Sequence, residues 1–255
     1  MDRVGTLILV RHGESTANAE GTFTGSRDVD LSARGLEQSR GAAVLMAAEG
    51  LVPDVVILSR MLRARRTAQV MLSELGLTKT PLIHTWRLNE RDYGLLMGMP
   101  KTEVHDRFGP ERFHTWRRTL HGTPPPMPVE QRAALGLVPP DDDPRDPQLP
   151  CAPGEGESLY DVVLRVQPLW QGTMLERLRA GQTVLVIAHG NSLRALCSIV
   201  DDLTDAELED LNLPTAQPIV YDVTPDGIAA PRGGRYLDPD TAVLAAIRIM
   251  FEGGT

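Results

Sequence analysis

The sequence predicts an α/β fold: one domain over residues 1–255, with a mainly parallel central sheet and helices on both faces. Two observations predict it. Short apolar runs without alternation, at 7–10 (LILV) and 183–188 (TVLVIA), read as strands buried on both sides. Segments of helical length fall between such runs, so strands and helices alternate.

In chain order, 7–10 is the first strand. Residues 31–50 read as a helix with Ser32 as N-cap and Gly50 as its stop. DVVILS (54–59) is the second strand, followed by a helix over 61–76 closed by Gly76. TPLIHT (80–85) makes a short third strand before the irregular stretch LNERDYGLLMGMPK (88–101). From 119 to 157 proline and acid dominate, with a local period only in EQRAALGL (130–137). Prolines at that density block both ladder pairing and regular helix. The stretch therefore reads as a long, lid-like excursion within the domain, because the sheet pattern resumes beyond it. Ser158 and Asp161 form a capping box for a long helix. Its Leu159, Val162, Val163, Val166, Leu169 and Trp170 share a core face, with Pro168 as a kink. The strand 183–190, a helix over 191–200, a peripheral strand at 218–223 and a helix from about Thr241 complete the series.

Composition excludes several classes. Hydrophobic content of 42% with 24% charged residues is ordinary for a globular protein of 255 residues. No apolar run is long enough to span a bilayer, so no membrane association is expected. The N-terminal apolar run stops at Arg11 and does not read as a secretory signal. Two cysteines, Cys151 and Cys197, make no disulfide framework, which points to a cytoplasmic protein. A net charge of −8 argues against nucleic acid as a partner. Positive charge is nevertheless clustered at 63–66 (RARR), Arg91 and 116–118 (WRR), either as an anion site or as solvated helix faces. His84, His105, His114 and His121 lack ligand spacing, and no metal is expected.

Two strands end alike, in LILVRHGES and LVIAHGNS, which places His12 and His189 at strand ends with a glycine after each. Parallel sheets bind ligands beyond the carboxyl ends of their strands. If these strands are neighbours, the two rings converge. Gly13 and Gly190 would let the backbone approach a ligand, and helix amides after Asn191 would favour an anion. Arg11 ends a buried strand, where its charge needs a partner such as a phosphate. Phosphoryl transfer needs positive charge around the transferred oxygens and an in-line nucleophile. Arg11, Arg63 and His189 would supply the charge, and neutral His12 the nucleophile.

These residues resemble the histidine phosphatase superfamily and, within it, the cofactor-dependent phosphoglycerate mutases. The resemblance runs through RHGES, Asn18, FTG (23–25), DVDLS (28–32), LRA (62–64), LNERDYG (88–94), Lys101, WRR, PPP (124–126), AHGNSLRAL (188–196) and LNLPT (211–215). It implies a phosphoglycerate mutase-like fold and conversion between 3- and 2-phosphoglycerate in glycolysis and gluconeogenesis. His12 would carry the phosphoryl group, with 2,3-bisphosphoglycerate as priming donor and no metal. Arg11, Arg63, His189 and Asn18 would hold that group beside the Gly190 amide. Glu90 would be the general acid/base; as an alternative it would simply pair with Arg87 or Arg91. Thr24, Gly25, Tyr93, Lys101, Arg117, Arg118 and Asn191 would hold the rest of the substrate. Ser15, which also matches the mutases, joins the substrate-binding set. Relatives commonly form dimers or tetramers, so a homo-oligomer is compatible with the resemblance.

The chain departs from the family habit at Ala17 and Ser26, where tryptophan is usual, at Asp92, where histidine is common, and in DPRD (143–146) and GEGES (154–158). These changes spare the proposed catalytic groups but alter the pocket wall. A phosphatase of the same superfamily and a non-catalytic phosphoanion-binding protein are the alternatives. Glu90, Lys101 and WRR favour the mutase over both.

Overall fold

The structure, a computed structural model, describes residues 5–135, 137 and 154–250; Cys151 and the DPRD segment lie outside them. The elements are β1 (Gly5–Arg11), α1 (Thr16–Ala19), α2 (Ala33–Ala48), β2 (Val55–Ser59), α3 (Leu62–Glu74), β3 (Leu82–Thr85), α4 (Lys101–Phe108), α5 (Pro110–Arg118) and α6 (Val129–Arg132). Then follow α7 (Leu159–Leu169), α8 (Leu175–Arg179), β4 (Thr183–Ala188), α9 (Gly190–Asp201), α10 (Asp205–Asp210), β5 (Ile219–Val223), β6 (Ala229–Tyr236) and α11 (Pro239–Met250).

The sheet order is β3-β2-β4-β1-β5-β6. The first four strands are parallel, and β5 and β6 add an antiparallel edge. Successive residues of a strand point to opposite faces, and the core divides accordingly. Leu7, Leu9, Ile57 and Val186 pack with α7 and α9, whereas Ile8, Val10, Leu58 and Ile187 pack with α2 and α3. Each fully buried aliphatic side chain is worth roughly 1.5–3 kcal/mol, so two-sided burial explains the unbroken apolar runs. A third cluster, built on Phe23, Tyr93, Leu96, Val104, Phe113 and Met127, supports the loops at the C-terminal sheet edge.

Local chemistry sets the boundaries. Ser32 caps α2 by accepting from the Gly35 amide, and Gly50 and Gly76 follow α2 and α3 at positive φ. The Ser158–Asp161 capping box opens α7 as the sequence indicates. Pro168 lies inside α7, and one wider turn at Trp170–Met174 leads into α8. Five elements go beyond the sequence reading: α1, α4, α5, α10 and β6. The last contains Pro231, Gly233 and Gly234 and lies at the sheet edge, where proline and glycine are tolerated. Part of the excursion also takes helical form, as α6.

One buried ion pair fixes the approach to the site. Arg165 on α7 donates to both carboxylate oxygens of Glu157, at 2.8 and 3.2 Å, and to the carbonyls of Arg87 and Asn89. It thereby ties α7 and the end of the excursion to the segment that carries Glu90. Removing one partner strands a buried charge. Glu157→Gln should lower stability by about 3 kcal/mol in urea denaturation; a loss below about 1 kcal/mol would show that the pair does not hold this junction.

Candidate active site

The β1–β4 register pairs Arg11 with Ala188, so the next residues, His12 and His189, leave the sheet together. Their ring centroids lie 4.9 Å apart at a 60° tilt, and both rings are buried. His12 Nδ1 lies 2.6 Å from the Gly13 carbonyl, which can only accept. Nδ1 therefore carries the proton, and Nε2 keeps its lone pair. His189 Nδ1 accepts from Arg63 Nε at 3.1 Å. Its Nε2 then carries the proton and donates to Ser59 Oγ at 2.7 Å, and Ser59 donates to Asn89 Oδ1 at 3.0 Å. Burial, then the charges of Arg63 and Arg11, hold His12 well below its ordinary pKa; burial, then Arg63 and His12, do the same to His189. Both rings are neutral. His189 therefore adds no positive charge to the site, contrary to the sequence expectation, and both its nitrogens are engaged by Arg63 and Ser59.

Of the three arginines in RARR, only Arg63 is buried. It donates to the carbonyls of Arg27 and Gly25 as well as to His189, and burial lowers its pKa to about 10, which leaves it charged. Arg65 and Arg66 instead face Asp28 and Asp30 at 3.8 and 3.7 Å on partly exposed side chains.

Beside the two strand ends, at Arg11 and Gly190, opens a pocket lined also by Asn18, Thr24, Gly25, Glu90, Tyr93, Lys101, Arg117, Arg118, Asn191 and Arg194, among others; His12, His189 and Arg63 lie buried next to it and do not line it. Arg11 donates to the Leu213 carbonyl at 2.9 Å, while its buried Nε has no partner. A Cβ on Gly190 would sit 3.7 Å from both the Arg11 guanidinium and Glu90 Oε2, so these groups converge on one spot. Glu90 Oε1 accepts from the amide nitrogens of Arg91 (2.8 Å) and Asn191 (3.2 Å) and from Asn191 Nδ2 (3.1 Å). The Arg91 guanidinium turns away, to the Trp116 carbonyl and the Tyr93 ring, and Arg87 donates to the Arg165 carbonyl. Glu90 thus faces the pocket without the side-chain pairing weighed as its alternative role. In the first turn of α9 the Asn191 amide donates to Glu90 rather than being left for an anion.

The remaining expected residues divide. Arg117 donates to the Ile249 carbonyl and Arg118 to Asn212 Oδ1, so the WRR cations line the pocket instead of forming a solvated helix end. Gly25 has φ of +53°, and a Cβ there would meet Met97 Sδ at 2.6 Å, which explains glycine at that turn. Ser15 is fully buried and caps α1 through a capping box with Asn18; it holds Asn18 at the pocket edge rather than lining the pocket itself. Gly13 serves packing rather than ligand approach, since a Cβ there would lie 2.2 Å from the Gly35 carbonyl.

Residues 7–136 and 139–232 match the histidine phosphatase superfamily (branch 1). A 2,3-bisphosphoglycerate-dependent phosphoglycerate mutase of Thermobifida fusca (strain YX) is 44% identical over 98% of this chain and 100% of its own length. One from Rhodococcus jostii (strain RHA1) is 42% identical, with 98% and 97% covered. The chain belongs to the phosphoglycerate mutases of the histidine phosphatase superfamily. Among solved structures, a putative alpha-ribazole-5'-P phosphatase from Escherichia coli superposes with TM-score 0.67 at 22% identity, covering 92% of this chain and 96% of its own. A mycobacterial glucosyl-3-phosphoglycerate phosphatase superposes with TM-score 0.64 at 22% identity, covering 85% and 92%. At that identity they share the fold.

Against this superfamily background, two departures explain each other. Ser26 donates to Asp92 Oδ2 at 2.6 Å, and both are buried. Asp92 also accepts from the amides of Gly94, Gly154 and Gly156, so the altered GEGES stretch converges on the same carboxylate. Ser59, Asn89 and Arg194 went unread as site residues; Asn89 and Arg194 lie inside the motifs LNERDYG and HGNSLRAL, and that placement was the available signal. Among the described residues no helix is long and apolar enough to cross a membrane, and no group of three His, Cys, Asp or Glu could hold a metal ion.

The two neutral rings make stability depend on pH. Unfolded, each binds a proton near pH 6.5; folded, only well below that. Their contribution is complete above pH 6.5 and is lost as pH falls from there toward the folded values. The loss should be about 1.4 kcal/mol per pH unit for each ring. Urea midpoints at pH 7 and 5.5 should show it, with a shallower slope for His189→Asn; an unchanged slope would mean that His189 takes up its proton while folded.

Proposed function

We propose that this protein is a phosphoglycerate mutase, interconverting 3- and 2-phosphoglycerate in cytoplasmic glycolysis and gluconeogenesis, with the phosphoryl group carried on His12. The observation that carries this reading is the charge of the pocket. Among the described residues, Arg11, Lys101, Arg117 and Arg118 line it with one carboxylate, Glu90, in a protein of net charge −8. Such a wall suits a small substrate with several negative charges at both ends.

The residues also fit 2,3-bisphosphoglycerate. The buried, unpartnered Nε of Arg11 and the cations across the pocket give two separated places for an anion. Arg11 and Arg63 would hold one phosphoryl group, and Lys101, Arg117 and Arg118 the other end. When bound, the bisphosphate supplies the phosphoryl group that primes the enzyme. His12 offers Nε2 as nucleophile because the Gly13 carbonyl holds the proton on Nδ1. Arg63 keeps its charge beside that ring and lowers the cost of phosphoryl oxygens arriving there. Glu90 takes a proton from a substrate hydroxyl as it attacks and returns one as the other oxygen leaves. Of the two substrate oxygens, whichever faces His12 receives the group.

Phosphorus NMR with 3-phosphoglycerate and a trace of 2,3-bisphosphoglycerate tests the reading. The expected result is 2-phosphoglycerate, formed only when the bisphosphate is present. Rapid release of inorganic phosphate would give the phosphatase reading instead, since a mutase must keep water from the phosphorylated histidine. His12→Ala should abolish labelling of the protein by the bisphosphate; persistent labelling rejects His12 as nucleophile. Glu90→Gln should lower kcat by about 10²-fold or more with little change in substrate affinity; an unchanged kcat would remove Glu90 from proton transfer.

A further inference from the structure

Glu90 has one oxygen saturated and one free. Three N–H donors converge on Oε1: the amides of Arg91 and Asn191 and the side-chain amide of Asn191. Oε2 instead lies 3.7 Å from the point where a Gly190 Cβ would stand, at the pocket wall beside Arg11. A proton on Oε1 would face three donors, whereas one on Oε2 would not.

The Asn191 amide is decisive for this, because only one of its two ends can donate. Its Nδ2 reaches Glu90 Oε1 at 3.1 Å and the Tyr93 hydroxyl at 3.0 Å. Its Oδ1 accepts from Arg194 NH1 at 3.1 Å, one helical turn along α9. A guanidinium has no acceptor. Arg194 therefore obliges the amide to present oxygen to it and nitrogen to Glu90. With the amide reversed, an NH2 would face the guanidinium and a carbonyl oxygen would face the carboxylate.

Arg194 is nearly fully buried, and its other bonds go to the carbonyls of Arg118 and Leu208. Its Nε has no partner and none of its hydrogen bonds goes to a carboxylate. Burial and the neighbouring charges of Arg118 and Arg91 lower its pKa to about 9. A buried, uncompensated guanidinium is a poor device for stability alone.

We propose that Arg194 is a positioning residue that, through the Asn191 amide, locks Glu90 with Oε1 anchored and Oε2 as the oxygen that carries the proton. This rests on Glu90 acting as the acid/base of the proposed mutase. The lock acts on turnover and not on substrate affinity, and it acts only through Asn191.

A double-mutant cycle on the full chain tests it, with steady-state kinetics on 3-phosphoglycerate in the presence of 2,3-bisphosphoglycerate. Arg194→Met should lower kcat by about tenfold and move KM by less than about twofold. In an Asn191→Ala background the same change should alter kcat by less than about twofold. Arg194→Gln, which can offer its own NH2 to Oδ1, should recover part of the lost turnover, and it carries the test if Arg194→Met does not fold. Equal kcat losses in both backgrounds would overturn the proposal, as would a loss confined to KM, which would make Arg194 a direct anchor for substrate. A wild-type chain without mutase turnover would remove the functional reading itself, a result distinct from an active wild type whose cycle shows no coupling.

Discussion

The site depends first on the register of two parallel strands. With Arg11 opposite Ala188, β1 and β4 deliver His12 and His189 to one point, and the His12 amide bonds to the Ala188 carbonyl at 3.0 Å. A shift of one residue would turn every side chain to the other face and part the rings. Packing opposes that shift, because it would move Leu7 and Leu9 into the core shaped around Ile8 and Val10 and the reverse. The packing that stabilises the sheet is thus also what sets the distance between the imidazoles.

The arginines follow a second common pattern. Arg11 bonds to the Leu213 carbonyl and Arg63 to those of Gly25 and Arg27. Carbonyl dipoles fix the direction of these guanidinium groups without cancelling their charge, and the Arg11 Nε is left without a partner. Arg165 differs: it meets Glu157 in a buried pair and lies outside the pocket lining. An arginine kept for an anion and an arginine kept for the fold are therefore told apart by the partner each has. The same logic lets an acidic protein hold a locally cationic pocket.

Much of this was legible in the sequence because the signals are local. The strand runs, the caps at Ser32 and Ser158 and the two His-Gly steps each sit within a few residues and carry their own physical reason. The meeting of His12 and His189 followed from the strand ends, and the presence of Glu90 and Arg63 nearby from motifs. What was not legible depends on distant partners. The neutrality of His189 comes from its burial and then from Arg63, which lies 126 positions away in the chain. Ser15 reads as a ligand in a motif and proves to be a cap, because its hydroxyl is taken by the Asn18 amide. Edge strand β6 breaks strand composition with proline and glycine, a tolerance that only its position in the sheet supplies.

The Ser26–Asp92 bond has a consequence for how this chain can change over time. The hydroxyl and the carboxylate are buried together, 66 positions apart, and the same carboxylate gathers Gly94, Gly154 and Gly156. Replacing Ser26 alone takes a donor from a buried charge; replacing Asp92 alone releases four donors at once. The two positions and the glycine stretch therefore form one heritable unit. A change at either position is expected to cost stability unless the other changes with it. Ser26, Asp92 and the glycine stretch thus act as one coupled contact rather than as separate substitutable positions.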